Sequence, residues 1–212
     1  KIAQTETDEL MITVKNNDTY RLLISANPSL PLIYITKENK ISPVTAPNFC
    51  MLLRKHLGNG RIISITQPSL ERVLDFNISH LDEMGDLCTK HLIVELMGKY
   101  SNIIFTDDNY TIIDSIKRIS ANVSSLREVL PGRQYFIPDT LTKKNPLVTD
   151  RESFFTDVYS KPMSVSKAFV AFFCGISPVV SNNICELANI DADTNTSELN
   201  DIEKEHLYKT FV

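Results

Sequence analysis

From its start the chain shows apolar residues at every second position. Leu10, Ile12 and Val14 alternate along one face, Asn16-Asn17-Asp18 supplies a turn, and Tyr20, Leu22 and Ile24 resume the alternation, the pattern of a β-hairpin. A short strand is expected over 32–36. The period then changes. From Pro47, Phe49, Leu52, Leu53, His56 and Leu57 recur at helical spacing, and Gly58 and Gly60 close the helix. Stretches 61–67, 71–79, 91–97, 102–106 and 111–119 predict further strands, with a tight turn at Asp107-Asp108-Asn109. Strands in succession with short connections predict an antiparallel sandwich or barrel-like arrangement and not a doubly wound parallel sheet.

Pro131-Gly132 and Pro138 mark an irregular connection, and after Asn145-Pro146 the pattern is helical: 153–160, 165–174, 179–189 and 197 onward. Gly175-Ile176-Ser177-Pro178 joins two of these helices, with a Gly stopping one and Ser-Pro starting the next, as in a helix-hairpin-helix joint. The expected architecture is α+β: a β-rich domain over 1–146 and a helical module over 147–212.

Composition narrows the functional classes. At 212 residues the chain holds one good core, or one domain with a smaller satellite. Its formal net charge of −4 excludes a blanket positive field, so nucleic-acid binding needs a local patch. No apolar run approaches the roughly 20 residues that span a bilayer, and no membrane association is expected. Lys1 falls inside a predicted strand and the last residues read as an unfinished helix, so a fragment of a longer protein is expected. The four cysteines, Cys50, Cys88, Cys174 and Cys185, show no metal-ligand spacing. Cys50, Cys174 and Cys185 sit among apolar neighbours and are expected as reduced, buried thiols, with a disulfide between the last two as the other option.

Enzyme motifs are missing: there is no GxGxxG, Walker loop, GxSxG or HExxH, and neither a catalytic centre nor a cofactor is expected. The acidic run from Asp82 to Asp86 reads as a solvated turn, and the Asp191, Asp193, Asn195 series lacks the Gly and Glu of a calcium loop. His56 is expected as a hydrogen-bonded structural side chain, and His80 and His91 as isolated ones. Arg54, Lys55, Lys99, Lys117, Arg118, Arg127 and Arg133 are scattered surface charges taken singly, but taken together they are candidates for a phosphate-contacting face. Glu71-Arg72, adjacent at a predicted strand start, allows two readings. One is an ordinary edge ion pair worth about 0–1 kcal/mol. The other is a recognition pair, with an Arg fork for phosphate or base edge and a carboxylate accepting from an amine or ribose hydroxyl.

A series of ordered blocks adds to this: PNFCMLLRKHLGNGRI, LERVLDF, GDL, KHLIVELMGKYSNIIF, IIDSIKRI, VLPGRQYFIP and KNP. Together they resemble the NFACT-N domain of the fibronectin-binding-protein-A-like family, which includes the RqcH and NEMF ribosome quality-control factors. The resemblance runs from Tyr20 to Gly175, nearly the whole chain. It implies a domain like the N-terminal fold of formamidopyrimidine-DNA glycosylases, followed by the start of a helix-hairpin-helix module. It further implies a cytoplasmic, ribosome-associated factor that engages the obstructed large ribosomal subunit carrying peptidyl-tRNA. Such a factor recruits tRNA, alanine tRNA in bacteria, for template-free tailing of the stalled chain. The family's Asp-Arg pair for tRNA selection falls on Glu71-Arg72, with Glu replacing Asp. Phosphate contacts are then expected from Arg54, Lys55, Lys99, Lys117 and Arg118. The family name also carries the alternative of a cell-surface adhesin for fibronectin or fibrinogen.

Overall fold

A computed structural model of the chain describes residues 1–124, 126–137 and 143–212. It divides into two compact units, Lys1–Pro138 and Asp139–Val212.

The first unit holds two antiparallel sheets. Strands β1 (Ile2–Glu6), β2 (Glu9–Lys15), β3 (Thr19–Ser25) and β4 (Leu32–Thr36) form a four-stranded meander in chain order. The hairpin expected around Asn16–Asp18 is present, with Leu10 opposite Ile24 and Ile12 opposite Leu22. Strands β5 (Arg61–Thr66), β6 (Val73–Leu81), β7 (Leu87–Glu95), β8 (Asn102–Asp107) and β9 (Ile112–Ser115) form the second meander.

Helix α1 (Asn48–Leu57) links the sheets and buries Phe49, Cys50, Leu53 and Leu57, the stripe its helical spacing foretells. Arg54, Lys55 and His56 occupy its last turn, where cations suit the negative end of the helix dipole. Gly58 ends it for a steric reason: a Cβ there would lie 2.7 Å from the Arg54 carbonyl oxygen.

These elements share one core. Ile2, Leu10 and Ile24 of the first sheet, the buried stripe of α1, and Phe76, Ile78, Leu92, Val94, Ile103 and Phe105 of the second pack together. The opposite face of the second sheet is covered as well. Val73, Ile93, Ile104 and Ile112 pack with Val129 and Tyr135, which come from the chain after β9. This double burial explains the unbroken apolar runs Leu92-Ile93-Val94 and Ile103-Ile104-Phe105, since alternation disappears when both faces are dry.

Several element boundaries differ from the sequence expectation, three of them for a clear local reason. β6 begins at Val73 because Pro68–Glu71 closes a turn, with Glu71 N bonded to Pro68 O at 3.0 Å and Ser69 at φ +50°. β7 starts at Leu87, drawn into the ladder by pairing with β6 across the acidic turn. β9 stops at Ser115, where the Asn102 side chain takes over the backbone of Lys117, accepting from its N–H at 3.1 Å and donating to its carbonyl at 2.8 Å.

The second unit contains α2 (Arg151–Val158), α3 (Val165–Phe172), α4 (Pro178–Leu187) and α5 (Asp201–Phe211). Caps set their starts: Asp150 accepts from Ser153 N, Ser177 from Val180 N, and Asn200 and Glu203 form a capping box. Their core is aromatic, with Phe154, Phe169 and Phe173 fully buried. The division between units falls before the expected 146/147 boundary. Lys144 already belongs to the helical unit, bridging to Phe173 and pairing its ammonium with Asp157 at 2.8 Å. Pro138, part of the expected irregular connection, lies outside the described residues. All four cysteines are free thiols, so the Cys174–Cys185 option is not realised; Cys174 is half-buried, not enclosed as expected.

Candidate nucleic-acid interface

The start of β6, the end of β7, the start of β8 and the end of β9 lie at one end of the second sheet, because the four strands form a simple meander. Glu71 and Arg72 stand at this end. Their backbone is fixed on both sides: Gln67 Nε2 donates to Glu71 O at 2.8 Å, and Arg72 O accepts from Leu96 N at 2.8 Å. The side chains are not so engaged. Arg72 is exposed and Glu71 half-buried, and neither makes a hydrogen bond or ion pair with another described residue. An edge ion pair is thus not formed. A fixed backbone presents a guanidinium fork and a carboxylate, both without a partner among the described residues, a geometry suited to a planar or phosphate-bearing ligand.

Three of the other candidates share this end. After Leu96 the chain turns through Gly98, at φ +59°, into a short 3₁₀ turn, Gly98–Tyr100. Exposed Lys99 lies over the Tyr100 ring, 4.9 Å from its centroid. Arg118 is exposed and makes a two-pronged pair with Asp114, Nε to Oδ1 at 2.9 Å and Nη2 to Oδ2 at 3.0 Å. Lys117 points inward: its ammonium donates to the carbonyls of Ala26 and, at 3.2 Å, Ser101. Burial depresses its pKa, with Asp8 acting weakly in the opposite direction. It fastens the two sheets together at this end.

Arg54 and Lys55 are elsewhere. Lys55 pairs with Glu83 at 2.7 Å, in the turn after β6, while Arg72 precedes β6. The nine residues of β6 put the two roughly 30 Å apart. Arg54, on the same helical turn, donates through Nε to Ile2 O at 2.7 Å. The candidates therefore form two groups at opposite ends of one sheet, and not one continuous face.

Two buried polar clusters escaped sequence reading. On the covered face of the second sheet, His91 Nδ1 lies 2.9 Å from Asp75 Oδ1, and Tyr110 OH donates to Asp75 Oδ2 at 2.8 Å. His91 is thus not isolated. Burial, and then the bond to Asp75, push the Tyr110 phenol up to about 12. Nearby, Glu95 accepts from Arg127 and, at 2.9 Å, from Tyr135 OH. Arg127 is consequently not surface charge. Burial opposes its charge, but the Glu95 carboxylate overrides that and raises its pKa. The second cluster pins residues 126–137 across the sheet, and the first meets that segment through Tyr110, whose ring centre lies 6.4 Å from that of Tyr135.

No group of three His, Cys, Asp or Glu among the described residues is placed to hold a metal ion. Asp82 Oδ1 accepts from Met84 N and Asp86 N, which makes the acidic run a turn, as expected. A cavity of about 720 Å³ has an apolar floor of Ile2, Ile12, Phe76 and Ile78 and is lined by none of the candidate residues. No described helix is long and apolar enough to cross a membrane.

Comparison with known proteins places this geometry in a family. A family model described as NFACT N-terminal and middle domains matches residues 1–212. The chain belongs to the NFACT family. This NFACT chain is 37% identical over 171 residues to RqcH of Bacillus subtilis, covering 80% of the chain and 30% of that relative. It is 34% identical over 70 residues to the human ribosome quality control complex subunit NEMF, covering 33% of the chain and 6% of NEMF. Among solved structures, the N-terminal domain of the fibronectin-binding protein PavA from Streptococcus pneumoniae superposes with a TM-score of 0.78 at 31% identity, over 88% of the chain and 70% of that structure. The NFACT chain therefore spans about a third of the length of the RqcH relatives it matches, 30% in the case of Bacillus subtilis RqcH.

Proposed function

We propose that the NFACT chain is the tRNA-facing part of a ribosome-associated quality-control factor. In this reading the parent protein binds the obstructed large ribosomal subunit and supports alanine tailing of the stalled chain. Family membership alongside RqcH and NEMF supports the quality-control setting. The observation that carries the site is Arg72, an exposed guanidinium with no partner among the described residues, set beside Glu71 on a backbone fixed at both carbonyls. Arg72 would engage phosphate or a base edge, and Glu71 a ribose hydroxyl or exocyclic amine. Lys99 and Arg118 would extend the contact along the same sheet end, with Lys117 holding that corner together. Arg54 and Lys55 would meet a separate stretch of the RNA, about one β-strand length away.

The same reading takes the first unit as a relative of the formamidopyrimidine-DNA glycosylase N-terminal fold. It takes α3 and α4 as the opening of a helix-hairpin-helix module. Supporting the latter are Gly175 at φ +73°, Ser177 capping α4, and Ser181 Oγ donating to Ser166 O at 2.7 Å.

The test uses the full-length protein carrying Glu71→Ala with Arg72→Ala. Alanine tails on stalled chains should disappear while thermal unfolding is unchanged. Normal tails from the folded double variant would remove the assignment.

A second reading rests on the superposition with PavA, a fibronectin-binding protein. It makes the chain a surface module for a matrix glycoprotein. Saturable fibronectin binding by the full-length protein, unaffected by the double variant and coupled to an absence of co-sedimentation with ribosomal subunits, would favour it.

A further inference from the structure

The β6–β7 hairpin carries a cysteine–histidine pair that tRNA recognition leaves unused. His80 and Cys88 are direct cross-strand neighbours. Cys88 Sγ lies 3.0 Å from His80 Nε2, and His80 Nδ1 lies 3.0 Å from the Leu81 carbonyl oxygen. A carbonyl only accepts, so Nδ1 carries the ring proton and Nε2 turns its lone pair to the thiol. Nucleophile, base and orienting group are therefore in hydrogen-bond sequence.

The surroundings separate this thiol from the others. His80 is only 6% exposed, so packing holds its ring, whereas Cys88 is half-buried and open to solvent. Cys50 is buried and directs its thiol to the Ile2 carbonyl at 3.8 Å. Cys185 is buried, and burial pushes its thiol up to about 11. Cys174 is half-buried like Cys88 but has no side-chain partner among the described residues. Lys90 lies two positions along β7 from Cys88, hence on the same face, and its ammonium makes no ion pair with another described residue.

We propose that Cys88 is a thiol–disulfide exchange site for small, carboxylate-bearing disulfides, with His80 as its base and Lys90 as the anchor for the carboxylate. The Cys88 proton passes to His80 Nε2, and the thiolate attacks one sulfur of the disulfide. The protein–ligand S–S bond forms as the original S–S bond breaks. The departing thiolate takes the proton back from His80 and leaves as a free thiol. No other oxidant is consumed, since the small disulfide is itself reduced.

The probe is oxidised glutathione added to the intact protein, with the rate of mixed-disulfide formation mapped peptide by peptide. Cys88 should react at least about tenfold faster than Cys174 in the same molecules. His80→Gln should bring Cys88 down to the Cys174 rate, with folding checked by circular dichroism. A Cys88 rate at or below that of Cys174 in the unaltered protein overturns the proposal without any variant. An undiminished rate in folded His80→Gln protein overturns the role of the base. Uncharged hydroxyethyl disulfide should react more slowly than oxidised glutathione, and Lys90→Gln should erase the difference. Equal rates for the two disulfides in the unaltered protein overturn the ligand class.

Discussion

Glu95 is wholly enclosed beneath the five-stranded sheet and is paired there with Arg127, thirty-two positions later in the chain. Tyr135 OH completes the carboxylate's bonding, and the guanidinium lies 5.2 Å from the centre of the Tyr135 ring. Arg127 Nη1 also reaches the Phe136 carbonyl at 2.6 Å. One acid thus holds both ends of the segment that covers this face. Removing the base alone leaves a charge in a dry site, which costs about 3–5 kcal/mol. Arg127→Ala should therefore lower the unfolding free energy obtained from urea titration by that amount. Arg127→Met combined with Glu95→Leu should lose far less, because no buried charge is left unpaired. Equal losses for the two would refute the pairing as the source of the cost.

The Asp75, His91 and Tyr110 cluster makes a smaller contribution of the same kind. Tyr110 stacks on His91 with ring centres 4.3 Å apart and donates its hydroxyl to Asp75 at 2.8 Å. Tyr110→Phe keeps the stacking and deletes one bond to a charged acceptor, worth about 1.5–3 kcal/mol. Equilibrium unfolding should show that loss with no change in the denaturant slope. A loss much below 1 kcal/mol would mean that water replaces the hydroxyl, and the cluster would then carry little stability.

Local features were legible because short-range geometry writes them. Phe49, Leu53 and Leu57 disclosed α1, and Asn16–Asp18 disclosed the first hairpin. The polar clusters were not, because they depend on strand register and long-range closure. Asp75 meets His91 only because β6 and β7 pair with Asn77 opposite His91, which brings Asp75 to the diagonal position. Lys117 looked like a surface cation until Ala26, ninety-one residues away, captured its ammonium. For the candidate site, residues could be nominated from the sequence but their grouping could not. Glu71 and Arg72 were singled out by adjacency, whereas the separation of Arg54 and Lys55 from them follows from the length of β6.

The same distinction gives opposite expectations for Arg72 and Lys117. Arg72 is exposed and has no partner among the described residues, so Arg72→Ala in the full-length protein should leave stability intact. It should make the dependence of log affinity for tRNA on log salt shallower by about 0.7–0.9, the share of one phosphate. Lys117→Met should instead lower the thermal midpoint, because the carbonyls of Ala26 and Ser101 lose their donor. If Arg72→Ala leaves the salt slope untouched, the guanidinium makes no phosphate contact.

His56 supplies a dependence on pH. Its ring sits between His80 and Phe105, with centroids 6.5 Å and 6.0 Å away. Burial depresses its pKa first, followed by the charges of Lys90 and Lys55 and by His80, while Glu83 opposes them. In the unfolded chain a histidine takes up its proton near about pH 6.5. As pH falls through that value the unfolded state binds the proton and the folded state does not, so stability falls. It is fully present above the unfolded pKa and declines below it, until the folded ring also protonates. Urea midpoints should therefore drop between about pH 7 and pH 5.5, above the range where carboxylates titrate. His56→Phe should flatten that part of the profile while preserving ring contact with Phe105. Parallel profiles for the two proteins would assign the drop to another group.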